Sequence, residues 1–134
     1  MKAAAIIIPR MTIFRFAKPL AWLLLAFILV VTVSPIGLRP ETVTTVNTDR
    51  ASAYVLLGLA FALAYPKQWK MVAVLVIIGA VAIEYLQYLV PTRHARLHDA
   101  GIKAMGAAIG LVAGWVINRW RDAKASNALP LAER

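Results

Sequence analysis

Four apolar stretches follow one another along the chain, separated by short breaks that carry proline and charge. The first covers about 19–34, with an unbroken run from Leu20 to Val31, Lys18 before it and Ser34-Pro35-Ile36-Gly37 after it. The second covers 49–65, opening on Asp49-Arg50 and closing at Pro66-Lys67. The third runs 71–90 between Lys70 and Pro91, and the fourth 99–117 before Asn118-Arg119-Trp120-Arg121. A helix needs roughly 20 apolar residues to cross a bilayer. The third stretch has that length. The second is the shortest: Ala51–Tyr65 covers only about 22 Å at about 1.5 Å per residue. It reaches across by starting as early as Asn47, or where the bilayer thins. Pro19 suits a first helical turn and the Pro35–Gly37 region a stop. No small-x-small cleavage signal follows the first stretch, so it is expected to stay as a helix rather than leave as a signal peptide. The pattern predicts an all-α polytopic membrane protein with four transmembrane helices.

Composition strengthens this reading. Of 134 residues, 61 % are hydrophobic and 16 % charged, and the mean hydropathy is +0.72. A soluble domain is about 45–50 % apolar and about 25 % charged, and a small soluble globule has too much surface to hide the excess. Soluble enzymes, disordered tails and solvated binding modules are disfavoured. The chain has no cysteine, which excludes disulfides and thiolate chemistry. His94 and His98 have helical ligand spacing and Asp99 adjoins them, but they fall in a short loop; no metal and no cofactor is expected.

The net charge is +9, and its distribution sets orientation. Lys2, Arg10, Arg15, Lys18, Lys67, Lys70, Arg119, Arg121, Lys124 and Arg134 share one side of a four-span topology. The other side carries Arg39, Arg50, Arg93 and Arg96, with Lys103 just inside a helix. The positive-inside rule puts both termini in the cytoplasm. The basic residues lie between apolar stretches, so the expected partners are membrane lipids with anionic headgroups rather than nucleic acid. Residues 1–18 read as a basic, apolar interfacial segment anchored by Phe14, Phe16 and Trp22. Residues 19–121 form the membrane domain, and 122–134 a polar, poorly ordered cytoplasmic tail.

Several polar residues interrupt the apolar stretches. Glu84 lies about 9 Å below the outer end of the third helix, with Gln87 three residues on and on the same face. Lys103 is about 6 Å into the fourth helix, and Tyr54 is about 6 Å below Arg50 on the second. The three depths are similar. Packing of helices two, three and four would gather Tyr54, Glu84 and Lys103 into one outward-opening polar pocket, to which the loop adds Arg93, His94, Arg96, His98 and Asp99. Three readings stay open. In the first, the charges are structural: Glu84 pairs with Lys103 or Arg96, and Asp99 favours the positive end of helix four. Asp99 and Lys103 also sit at i,i+4. In the second, Arg50, Tyr54, Glu84, Gln87, Arg93, Arg96, Asp99 and Lys103 bind a polar or anionic headgroup, with Arg93, Arg96 and Lys103 as a cationic clamp. In the third, Glu84 or Asp99 is a catalytic base and His94 a proton carrier. Gly106, Gly110 and Gly114 recur every four residues and give helix four a smooth face for internal packing or for dimerisation.

The stretch Glu84-Tyr85-Leu86-Gln87, the loop Pro91-Thr92-Arg93-His94-Ala95-Arg96-Leu97-His98-Asp99 and the spaced Gly106 and Gly110 resemble the VanZ-like family. Asp49-Arg50 resembles that family's acidic–basic pair before the second span, and Ser34-Pro35 the usual end of the first. The resemblance runs from about Trp22 to Val116. Ala53 stands where many members have histidine, and Lys103 where many have asparagine. The resemblance implies a small protein of the bacterial inner membrane, in a family named for an accessory protein that raises resistance to the glycopeptide teicoplanin. The family lends no agreed reaction. On these grounds the expected ligand is an outer-leaflet envelope lipid or lipid-linked precursor. The alternatives are a small membrane enzyme acting on such a lipid, and an interaction partner of a larger envelope complex, as a homo-oligomer or with another protein.

Overall fold

The structure is a computed structural model. It describes residues 8–34, 46–88 and 97–128, and within them the side chains of 16–34, 48–85 and 98–127. All regular structure among these residues is helical. The helices are α1 (Ile8–Val33), α2 (Val46–Ala64), α3 (Trp69–Tyr88) and α4 (Leu97–Ala128), with a 3-10 turn at Pro66–Gln68 between α2 and α3. Phe16–Val33, Pro66–Tyr85 and His98–Asn127 are long and apolar enough to cross a membrane. α2 does not meet that measure, because its first turns carry Asn47, Thr48, Asp49 and Arg50.

Two helix ends differ from those expected. α1 starts at Ile8 rather than near Pro19, so residues 8–18 are helical and continuous with the apolar stretch Phe16–Val33. Pro9 takes the first-turn position, where a missing N–H is harmless. Pro19 sits inside the helix, where it forfeits a bond to the Arg15 carbonyl; membrane helices tolerate this better than soluble ones. α4 runs 32 residues, well past the expected end at 117 and through most of the tail read as poorly ordered. Ala123-Lys124-Ala125 continues it with strong helix formers, and no glycine or proline intervenes before Pro130. At about 48 Å, α4 exceeds the roughly 30 Å of hydrocarbon by several turns.

α2 is the centre of the bundle. It packs most extensively on α4, then on α1, and lightly on α3, which leans mainly on α4. The exposed apolar side chains lie on the other three helices: Leu20, Leu23 and Phe27 on α1, Leu75 and Ile78 on α3, Ile109 and Val112 on α4. Among the described side chains of α2 only Leu56 is an exposed large hydrophobic residue. A helix screened by its neighbours needs less apolar surface of its own, which explains how α2 keeps a bundle-centre place with a polar first turn.

α2 and α4 run parallel, as the pairings 51 with 106, 55 with 110 and 62 with 118 require. Their contact is made by glycine. A Cβ at Gly106 would come within 2.6 Å of the Ala51 carbonyl oxygen, and one at Gly110 would overlap the Val55 carbonyl. Gly58 receives the Ala107 carbonyl from the opposite side, and Gly114 faces the Ala62 methyl. Backbone therefore lies on backbone, the close approach that drives association where no water is present to expel. The smooth face of α4 is filled by α2 of the same chain.

Aromatic and cationic side chains gather at the other end of the bundle from Asp99. Trp22 Nε1 donates to Tyr65 Oη at 3.0 Å, and Lys18 lies 5.2 Å from the Tyr65 ring centre. Trp69 and Trp115 approach to 6.0 Å, with Arg119 at 5.4 Å from the Trp115 ring. An aromatic belt with Lys and Arg is the mark of a membrane interface.

Candidate functional site

The parallel run of α2 and α4 sets their N-terminal turns side by side. Arg50, in the first turns of α2, thereby meets Asp99, in the first turn of α4, at 2.5 Å. The two side chains are 34 % and 22 % exposed. Asp99 is also favoured by the partial positive charge of its own helix end. One turn deeper, Lys103 Nζ donates to Glu84 Oε2 across α4 and α3, with both side chains buried. Tyr54, one turn below Arg50, is 2 % exposed and lies within electrostatic reach of Glu84 and Arg50. Its hydroxyl is buried and has no hydrogen-bond partner among the described residues.

Tyr54, Glu84 and Lys103 thus occupy one layer, on the three helices whose packing the depth argument required. The pairing differs from one of the sequence-based options. Asp99 bonds across to Arg50 rather than along its own helix to Lys103. An i,i+4 pair is worth only about 0.2–0.5 kcal/mol, whereas Lys103, by pairing across to Glu84, relieves a carboxylate that would otherwise be buried alone. Of the alternatives for Glu84, Lys103 is its partner.

The rest of the expected set is only partly within view. Gln87 lies on α3, one turn beyond Glu84, with its side chain outside the described residues. Arg93, His94 and Arg96 fall outside them altogether. His98 is exposed in the first turn of α4. Among the described residues no group of three or more His, Cys, Asp or Glu side chains is placed to hold a metal.

Chemically, the four charges of the layer cancel in two pairs. The lower pair is dry and fixes α3 to α4. The upper pair is partly open, and its guanidinium has donors beyond those one carboxylate oxygen uses. A general base must reach its proton at hydrogen-bond distance. Glu84 is held by Lys103 and Asp99 by Arg50, so the layer is better arranged to bind than to abstract.

One polar residue escaped the sequence reading. Asn118 is 8 % exposed and donates from Nδ2 to the Ala62 carbonyl at 2.8 Å. The signal was available: residue 66, whose N–H would ordinarily serve that carbonyl, is proline. No family model, curated protein or solved structure matches this chain.

Proposed function

We propose that this chain is a VanZ-like, four-span protein of the bacterial inner membrane, with both termini cytoplasmic. Its outer polar layer holds the headgroup of an envelope lipid or lipid-linked precursor, and any effect on glycopeptide susceptibility runs through that lipid. The observation that carries this reading is the stacking of two ion pairs at one end of the bundle. A partly exposed Arg50–Asp99 pair sits above a buried Glu84–Lys103 pair, with an unpartnered Tyr54 hydroxyl beside them. Ionisable groups at membrane depth are functional candidates by default. The lower pair serves as a rigid floor. The Arg50 guanidinium, already oriented by Asp99, offers further N–H donors to a phosphate.

Binding rather than turnover is favoured because both acidic groups are engaged by cations. A partner in a larger envelope complex would dock elsewhere than on Gly106, Gly110 and Gly114, since α2 covers that face. The test is native mass spectrometry of the full chain from mild detergent, comparing wild type with Arg50→Gln and Glu84→Gln. A headgroup class retained by wild type and lost from Arg50→Gln is the expected result. An identical lipid complement in all three proteins overturns the reading.

A further inference from the structure

α1 rests on α2, and α3 leans mainly on α4. The two outer helices consequently stand apart over the α2 face between them, leaving a cleft of about 270 Å³. Tyr54, Leu57 and Phe61 of α2 floor it, Trp22 and Leu25 of α1 form one wall, and α3 forms the other from Met71 to Ile83. Gly79 widens the α3 wall: a Cβ there would meet nothing within 4 Å. Leu75 stands at the rim, 61 % exposed.

Three features specify the occupant. First, the lining is aliphatic and aromatic, and the hydrogen-bonding groups sit at the two ends. The Trp22–Tyr65 hydrogen bond and Gln68 mark the inner end, and Tyr54 the outer one. Second, the cleft is long and narrow. From Gln68 to Ile83 it follows α3 for about 22 Å, more than the roughly 15 Å of one leaflet's hydrocarbon. Its volume, at the low end of ligand pockets, is room for one chain and not for two. Third, Tyr54 is 2 % exposed and its buried hydroxyl has no hydrogen-bond partner among the described residues. Buried polar groups in folded proteins are nearly always paired, so this donor at the outer end of an apolar cleft asks for an oxygen from outside the chain.

We infer that the cleft between α1 and α3 seats a single apolar lipid chain, with the Tyr54 hydroxyl donating to an oxygen at the junction of chain and headgroup. The inference rests on the headgroup reading above and deepens it by assigning the chain its own site, lateral to the ion pairs and open to the bilayer. The surrounding exposed surfaces of α1 and α3 are apolar, so the hydrocarbon of the membrane is the medium from which the chain enters. Arg50, one turn above Tyr54, makes an anionic headgroup the better fit.

The test uses the full chain in mild detergent, titrated with lysophosphatidylglycerol, which has one acyl chain and one phosphodiester, and read by native mass spectrometry. Gly79→Leu and Leu75→Trp fill the cleft from two positions that touch little else. Gly101→Leu, where an added Cβ likewise meets nothing within 4 Å, is the control outside the cleft. Melting curves confirm that each variant is folded. Both filling variants are expected to weaken binding by about tenfold or more, the scale of a few methylenes leaving an apolar site. Gly101→Leu should match wild type. Tyr54→Phe should weaken binding about fivefold, the scale of one hydrogen bond. Wild-type binding by both filling variants, or no binding by wild type, overturns the inference. Arg50→Gln separates the two readings. Loss of preference over lysophosphatidylcholine in Arg50→Gln, with the filling variants unaffected, leaves the headgroup site standing and removes the cleft. Loss of binding in the filling variants, with Arg50→Gln unchanged, retains the cleft and removes the headgroup assignment.

Discussion

Asn118 on α4 serves the carbonyl of Ala62 on α2 at 2.8 Å, the carbonyl that Pro66 leaves unpaired. The proline that ends α2 creates the vacancy, and a polar residue on another helix fills it. In a bilayer, where water does not reach, such a carbonyl has few other partners. The bond also ties the C-terminal end of α2 to α4, as the Arg50–Asp99 pair ties their N-terminal ends.

Replacing Asn118 by Leu is therefore expected to destabilise the protein by about 1–2 kcal/mol, the upper range for a single interhelical hydrogen bond in a membrane. The loss should shrink in a Pro66→Ala background, where residue 66 regains an N–H for Ala62. Unfolding of the four proteins of this cycle in mixed micelles measures the coupling. Equal losses in both backgrounds would show that the two residues act independently.

The buried Glu84–Lys103 pair makes a second expectation. Removing one partner strands the other charge in a dry site, so Lys103→Met is expected to cost about 3–5 kcal/mol. The double change Glu84→Leu with Lys103→Met removes both charges and should recover most of that loss, since apolar replacements of buried pairs are often neutral or stabilising. Chemical or thermal unfolding of single and double variants decides it. A double variant less stable than Lys103→Met alone would mean that the pair is worth more than its desolvation.

Much of this layer was legible in the sequence because depth in a membrane is a matter of counting. Tyr54, Glu84 and Lys103 fall at one level once the spans and their directions are set. Partner choice was harder. Spacing makes Asp99 and Lys103 neighbours on one helix, yet the parallel contact of α2 with α4 gives each a partner on another, and that contact depends on which helices are adjacent. Helix ends were harder still: nothing in the local pattern at Pro19 reveals that α1 begins eleven residues earlier, and alanine-rich 122–128 has the composition of a tail and the propensity of a helix. The cleft was invisible, because it arises from how two helices stand over a third.

The glycines divide into two kinds, and substitution separates them. Gly110→Ala drives a methyl into the Val55 carbonyl, and with backbone on both sides neither helix can yield. A loss on the order of 1–3 kcal/mol, the scale of overpacking, is expected. Gly79→Ala points its methyl into open space and removes a flexible residue from a helix interior, so it should be neutral or stabilise by up to about 1 kcal/mol. Thermal unfolding in detergent gives both values. Equal behaviour of the two variants would contradict the packing described for α2 and α4.

α2 is too polar at its start to be counted as a span by its own composition, but its partner argues for one. α2 lies parallel to α4 from the 51–106 contact to the 62–118 contact, over about 16 Å of α2. Two helices in such register share their depth over that length, so α2 is expected to cross the membrane beside α4. The absence of cysteine makes this directly measurable with single-cysteine variants at exposed positions. Lys67→Cys and Ser126→Cys are expected to react with a membrane-impermeant maleimide from the cytoplasmic side, and His98→Cys from the opposite side. Reaction of Lys67→Cys and His98→Cys from the same side would remove α3 from the membrane, and with it the layer shared by Tyr54, Glu84 and Lys103. Reaction of Ser126→Cys on the side of His98→Cys would do the same for α4, and the parallel α2 would follow it out.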